Sequence, residues 1–188
     1  NWPHWPTYGL VLHGPPGSGK THLSRLWQEV SGARLLTPRN QDVQPLSLAS
    51  IPILIDGFSD VVWDEDWLFH LLNTRLSLQA SILIVDRKTP SSWSLKKHDV
   101  RSRCLALSSV GIEMPDEAFV EALLIALFRK RGVALSPDVA KFLSVRLERC
   151  YTTILRTVEA LNDASLQQRR PITVPFLKEL EIENTLVS

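Results

Sequence analysis

The chain has 188 residues, of which 44% are hydrophobic and 22% are charged, and its formal net charge is +1. These values are ordinary for a globular protein and allow one domain with a sizeable core, or one domain plus a small appendage. The charges are evenly divided, because residues 1–114 carry 11 Lys/Arg and 10 Asp/Glu and residues 115–188 carry 10 of each. Neither part has the basic footprint of a DNA-binding domain, so we expect no sequence-specific DNA binding.

Two cysteines, Cys104 and Cys150, lie far apart and lack the spacing of metal ligands. This usage is typical of small core residues in a reducing compartment. The sequence contains neither an apolar run of about 18 residues nor a secretory signal. We therefore expect a cytoplasmic protein with no membrane partner. The first residue is Asn1 and not Met, which indicates a processed or trimmed chain whose natural start is missing.

Residues 1–7 form a segment rich in proline and tryptophan, which excludes a helix there. In a phosphate-loop domain such a segment often lies near the nucleotide base. Trp2 or Trp5 could therefore stack on an adenine, and covering an edge of the sheet is an equal alternative.

The most specific motif follows a short apolar run at residues 8–13. It matches the phosphate-loop pattern G-x-x-x-x-G-K-[ST] with Gly14, Pro15, Pro16, Gly17, Ser18, Gly19, Lys20 and Thr21. Helical spacing follows to residue 30, with one side formed by Leu23, Leu26, Trp27 and Val30. In this strand–turn–helix context, backbone N–H groups and the helix N-terminus point at phosphate oxygens. We expect Lys20 to reach the β- and γ-phosphates and Thr21 to bind Mg²⁺, the alternative being a surface turn with a chance lysine.

The remaining apolar runs predict an α/β fold. Strands are expected at about residues 8–13, 33–36, 51–56, 81–86 and 104–108. Runs that do not alternate and are separated by helices are typical of a parallel sheet covered on both faces. Residues 37–50 are predicted as loop with a helical turn at 46–50. Residues 64–78 are predicted as a helix that begins with acidic residues.

After Pro115 the pattern becomes all-helical. Helices are predicted at 116–131, from the N-cap Ser136 onward, at 152–166 and from Thr173 onward. We therefore divide the chain into an α/β nucleotide-binding domain, residues 1–114, and a small helical domain, residues 115–188.

After the phosphate loop, the second set of candidate site residues consists of acids at strand ends. Asp56 ends the third predicted strand, where a phosphate-loop nucleotidase places the carboxylate that holds Mg²⁺; the alternative is an acid that simply ends a strand. The acid that polarises the attacking water normally follows directly, but Gly57 stands there and Asp60 is the nearest replacement. This departure predicts weak or no ATP hydrolysis by the chain alone. Asp86 is the candidate for sensing the γ-phosphate.

Two arginines precede the fifth predicted strand. A guanidinium of Arg101 or Arg103 could reach a nucleotide held by a neighbouring subunit, where such an arginine finger contributes about 10³–10⁵ in rate. Two surface arginines on a solvated turn are an equal alternative. The five histidines lack metal spacing and are read as structural.

Taken together, these stretches resemble the AAA+ module of the bacterial replication initiator DnaA. The resemblance is carried by residues 14–23, 53–56, 68–73, 85–90, 99–103 and 170–179. It covers nearly the whole chain and is closest to the short DnaA-like regulators of the Hda (HdaA) family, which lack the DNA-binding domain of the initiator.

The resemblance implies an AAA+ P-loop fold with a five-stranded parallel sheet, a helical lid, and ADP or ATP with Mg²⁺ between them. It implies that His22 adjoins the nucleotide-binding residues Gly14 to Thr21, and that Thr21 and Asp56 hold the metal. The partners would be the AAA+ domain of ATP-bound DnaA, on which Arg103 acts in trans as arginine finger, and the sliding clamp (the β subunit of DNA polymerase III). The clamp motif of that family would lie upstream of this chain. The resemblance leaves homo-oligomers open.

Three positions depart from the family pattern. Gly57 replaces the second Walker B acid, Val85 stands where a small polar sensor is expected, and Thr152 stands at the sensor arginine of the lid, with Arg149 and Arg156 as neighbours. Each weakens the expectation of self-catalysed hydrolysis. The alternatives are a self-sufficient AAA+ ATPase of the helicase-loader or transposition-helper type and, less favoured, a small-molecule kinase.

Overall fold

The computed structural model describes residues 4–40, 44, 48 and 51–182. Trp2 and most of the helical turn expected at 46–50 lie outside these residues. The chain forms two compact units, Asn1–Glu113 and Met114–Ser188.

The first unit is built on a five-stranded parallel sheet with the spatial order β2-β3-β4-β1-β5. The strands are β1 Gly9–His13, β2 Arg34–Leu35, β3 Ile53–Asp56, β4 Ile82–Asp86 and β5 Ser108–Gly111. Its helices are α1 Lys20–Ser31, α2 Glu65–Leu78 and α3 His98–Leu105. His13 pairs with Asp86, and Asp56 pairs with Val85. The ends of β1, β3 and β4 therefore meet at one edge of the sheet.

Both faces of the central strands β3 and β4 are buried, as the unbroken apolar runs predict. On one face, Ile53, Ile55, Ile82 and Ile84 join the buried residues of α2 and α3 in one core. On the other face, Leu12, Leu54, Leu83 and Val85 form a smaller cluster against which Trp27 packs. The predicted α/β fold with a parallel sheet is thereby confirmed.

The side of α1 that packs against the sheet differs from the one that the apolar spacing predicts. Its buried residues are Lys20 and Ser24. Three aliphatic side chains of the predicted apolar side face solvent, with exposed fractions of 48% for Leu23, 45% for Leu26 and 76% for Val30. Trp27 alone of that side packs inward, and Trp5 stacks on it with ring centroids 5.4 Å apart. Together with Trp27, Trp5 therefore helps to cover this face of the sheet.

The prediction of a fifth strand at 104–108 is wrong. Cys104 belongs to α3, and β5 begins at Ser108. Val100 and Cys104, four residues apart, are both fully buried against the core that includes α2, so helical spacing prevails over the short apolar run. The segment that holds Arg101 and Arg103, expected as a turn, is accordingly helical.

A fully buried guanidinium fixes the chain ahead of β3. Arg75 of α2 donates hydrogen bonds to the carbonyl oxygens of Leu48 and, at 2.8 Å, of Ile51. Burial lowers the pKa of Arg75 to about 10. Arg75 thus supplies hydrogen-bond donors to carbonyl groups that precede β3 and lie outside the hydrogen-bonded sheet.

Within its described residues, the second unit contains four helices around its own apolar core. They are α4 Glu117–Lys130, α5 Pro137–Ser144, α6 Tyr151–Gln168 and α7 Val174–Ile182. Asp116 and Ser136 cap α4 and α5, since their side chains accept from the backbone N–H groups of Phe119 and Val139. In the part of the chain that the structure describes, no helix combines the length and apolar character needed to cross a membrane.

We expect Arg75→Ala to lower the free energy of unfolding of the first unit by about 3 kcal/mol, because two buried carbonyl groups lose charged donors. Urea unfolding followed by tryptophan fluorescence measures this, since all six tryptophans lie in residues 1–113. Arg25→Ala on exposed α1 is the matched control and should change stability by less than about 0.5 kcal/mol. Equal effects of both substitutions would contradict the assigned role.

Candidate functional site

The loop between β1 and α1 has the backbone of a tight, glycine-dependent turn. Gly14, Gly17 and Gly19 have positive φ angles of 153°, 76° and 86°. Gly19 is the N-cap of α1, and a Cβ atom added there would meet nothing within 4 Å. Glycine is therefore required at this position by the left-handed backbone and not by lack of space.

Lys20 is enclosed by the loop that precedes it. Its side chain is only 8% exposed. The Nζ atom donates to the carbonyl oxygens of Gly14 at 2.8 Å and Pro15 at 2.7 Å and to the Oγ of Ser18 at 3.3 Å. The ammonium group thus lies within the curl of the loop, where the motif predicts that it meets phosphate oxygens.

Charges from the ends of β3 and β4 gather around this lysine. Burial lowers the pKa of Lys20, and the neighbouring Arg87 lowers it further, whereas the carboxylates of Asp56 and Asp86 act in the opposite direction. Asp56 is exposed at the end of β3. The structure therefore brings the motif lysine and the predicted Walker B acid to the same edge of the sheet.

Asp86 has a structural role that the sequence did not reveal. It is 2% exposed. Its carboxylate accepts from the backbone N–H and the hydroxyl of Ser59, both at 2.8 Å, and from the N–H groups of Arg87 at 2.5 Å and Lys88 at 3.3 Å. Because these donors occupy both oxygens, Asp86 joins the loop after β3 to the end of β4, which does not suit the expected sensor role.

The Asp60 carboxylate lies beside Gly57, the position at which the second acid is missing. Gly57 has a φ of +75°, and a Cβ atom built on it would lie 3.3 Å from Oδ2 of Asp60. The backbone N–H of Asp60 donates to the carbonyl of Gly57 at 3.1 Å. The Asp60 carboxylate therefore lies against the place where the second acid would begin.

Arg103 lies at the other end of the sheet. Burial raises the pKa of the Tyr8 hydroxyl, and the nearby Arg103 guanidinium counteracts this increase. Tyr8 directly precedes β1, whereas the phosphate loop follows it, and a strand of this length spans about 13 Å. The geometry thus separates Arg103 from Lys20 of the same chain.

The other predicted site residues are at accessible positions. Thr21 and His22 are exposed in the first turn of α1. In the second unit, the Thr152 hydroxyl contacts the Cys150 thiol at 2.9 Å, and Arg149 pairs with Glu117 at 3.4 Å. Among the described residues, no group of three or more His, Cys, Asp or Glu side chains could hold a metal ion.

Comparison with known proteins gives the fold a class. Domain III of the Thermotoga maritima replication initiation protein DnaA superposes with a TM-score of 0.67 at 16% identity, over 90% of this chain and 81% of that one. The Thermotoga maritima RuvB branch migration motor gives 0.70 at 16% identity, over 93% and 61%. A DnaA bound to AMPPCP and single-stranded DNA gives 0.66 at 16% identity, over 87% of this chain. The fold is that of an AAA+ protein.

Two sequence matches narrow this class. The model of the Hda lid domain matches residues 116–180. An uncharacterized protein of Haemophilus influenzae is 32% identical over 91% of this chain and 80% of its own length. The chain therefore belongs to the same family as this Haemophilus influenzae protein, with a lid domain of the Hda type over residues 116–180. It spans 55% of a crystallised DNA replication initiation factor and 59% of the DnaA bound to AMPPCP and single-stranded DNA.

The two aspartates at the strand ends should respond differently to truncation. Asp86→Ala leaves buried donors without an acceptor and should lower the free energy of unfolding by about 3 kcal/mol or more. Asp56→Ala removes an exposed carboxylate and should change it by less than about 0.5 kcal/mol. Urea unfolding of both variants measures the difference, and a large loss in Asp56→Ala would show that this residue too is structural.

Proposed function

We propose that the protein is a cytoplasmic, adenine-nucleotide-binding AAA+ regulator of the initiation of chromosomal DNA replication. Its partners would be the AAA+ domain of ATP-bound DnaA and the DNA-loaded sliding clamp. The observation that carries the proposal is the enclosed ammonium of Lys20 beside Asp56 in a chain of the Hda type. Solved DnaA proteins with AMPPCP support adenine nucleotide as ligand.

The residues present fit a nucleotide with Mg²⁺. The glycine-dependent loop and the N-terminus of α1 offer backbone N–H groups to phosphate oxygens. When nucleotide binds, the Lys20 ammonium would give up its hydrogen bonds to the loop carbonyls and donate to the β- and γ-phosphates instead. The exposed hydroxyl of Thr21 and carboxylate of Asp56 are the oxygen ligands that Mg²⁺ prefers, and the metal would neutralise phosphate charge.

The separation of Arg103 from Lys20 supports regulation in trans. The Arg103 guanidinium lies near the start of β1 and cannot reach the phosphate loop, which follows the end of that strand. It can instead be presented to a second AAA+ subunit. Gly57 in place of an acid favours a chain that binds nucleotide and turns it over slowly. A protein that offers Arg103 to DnaA needs no water-polarising acid of its own.

Nucleotide binding is tested by thermal unfolding with and without ADP–Mg²⁺ or ATP–Mg²⁺. At about 100 times its dissociation constant, ADP should add roughly 2.7 kcal/mol, which raises the melting temperature by roughly 5–10 °C for a chain of this size. The shift should disappear in Lys20→Ala and persist in Lys178→Ala. Unchanged melting of the wild type with both nucleotides would reject nucleotide binding.

The role of Arg103 is tested by measuring the rate at which DnaA hydrolyses ATP when this protein and a clamp loaded on DNA are both present. Arg103→Ala should lower the stimulation by about 10³-fold while keeping its own thermal shift with ADP. Arg101→Ala is the matched control, since Arg101 is exposed on the same helix and donates only a 3.4 Å hydrogen bond to Ser91. Stimulation by Arg103→Ala at the wild-type rate would refute the finger.

A self-sufficient AAA+ ATPase is the second candidate, and the Asp60 carboxylate beside Gly57 favours it. In that case the isolated protein should hydrolyse ATP at more than about 1 per second. Asp60→Asn should then lower the rate by about 10²-fold, whereas Asp163→Asn on the exposed side of α6 should not. Turnover well below that rate in the wild type would favour the regulator.

A further inference from the structure

A cavity in the first unit lies apart from the phosphate loop. It has a volume of about 370 Å³, within the range of about 300–1,000 Å³ that is usual for ligand sites. Its lining comes from the segment after β3 and from the segment between β4 and α3. Ser59 lines the cavity and also holds the Asp86 carboxylate, but no residue of the phosphate loop, Gly14 to Thr21, belongs to the lining.

The floor of the cavity is aromatic and its rim is aliphatic. Phe58 packs between Trp63 and Trp93, with ring centroids 5.7 and 4.1 Å away. These rings are at most 8% exposed, so they form a rigid wall. Val61 and Val62 line the opening with exposed fractions of 42% and 89%. The site therefore demands an apolar group from its occupant.

The polar groups of the cavity are mainly donors. Lys88 and Lys96 line it and are exposed. The indole N–H of Trp93, in the same wall, has no acceptor among the described residues. The one lining carboxylate, Glu65, already accepts from the backbone N–H groups of Lys96 at 2.9 Å and Lys97 at 2.6 Å. The cavity therefore offers two ammonium groups, those of Lys88 and Lys96, while the carboxylate of Glu65 is engaged by backbone N–H groups.

We propose that this cavity binds a protein segment in which a leucine-like or aromatic side chain adjoins a carboxylate. The apolar side chain enters between Val62 and the aromatic wall, and the carboxylate meets the ammonium groups of Lys88 and Lys96. A nucleic acid fits less well, because the rings are buried and cannot stack on bases.

The test is titration of the full chain with acetyl-Gly-Leu-Asp-Gly-amide, followed by the NMR signal of the Trp93 indole N–H, which Trp93→Phe identifies. The signal should shift and saturate. Peptides with Asn for Asp, or Ala for Leu, should bind about fivefold more weakly, since each removes an interaction of about 1 kcal/mol. Equal affinity of the Asn peptide, or no shift, would overturn the proposal.

Matched variants keep the test independent of folding. Val62→Asp should abolish the shift, whereas Val30→Asp, at an equally accessible valine of α1, should leave it unchanged. Lys88→Ala and Lys96→Ala should each weaken binding severalfold, and Lys20→Ala should not. Binding that survives Val62→Asp, or a stronger shift with oligothymidylate than with the peptide, would contradict the assignment.

Discussion

The site depends on keeping a positive charge where little water reaches it. Lys20 is 8% exposed, and burial alone favours loss of its proton. The loop carbonyls of Gly14 and Pro15 satisfy the ammonium group, while the carboxylates at the ends of β3 and β4 favour its charged form. This arrangement exists only if three strand ends stop at the same level, which the register of His13 with Asp86 and of Asp56 with Val85 provides.

The sequence predicts the parts of the molecule in which one physical requirement dominates. Strands β3 and β4 are buried on both faces and therefore read as unbroken apolar runs. The phosphate loop is predictable because a left-handed backbone at Gly19 admits few residues other than glycine. Helices α4 and α5 carry their own side-chain caps, Asp116 and Ser136, so their starts are encoded locally.

The remaining features depend on neighbours that are distant in sequence. Asp56 and Asp86 both end apolar strands, and only the position of Ser59 makes one of them structural and leaves the other facing solvent. The start of β5 was misjudged because Cys104 packs in a helical register against residues some 30 positions earlier. The Asp60 carboxylate beside Gly57 results from a turn whose geometry no motif records.

The outward side of α1 has a consequence for handling the protein. Leu23, Leu26 and Val30 repeat along the helix and stand in water, and the isoelectric point of about 8.0 leaves little net repulsion between molecules near that pH. Sulfate and phosphate strengthen the association of such surfaces because these ions are excluded from them. Salting-out should therefore begin at this helix, and colloidal stability should be lowest in mildly alkaline buffers.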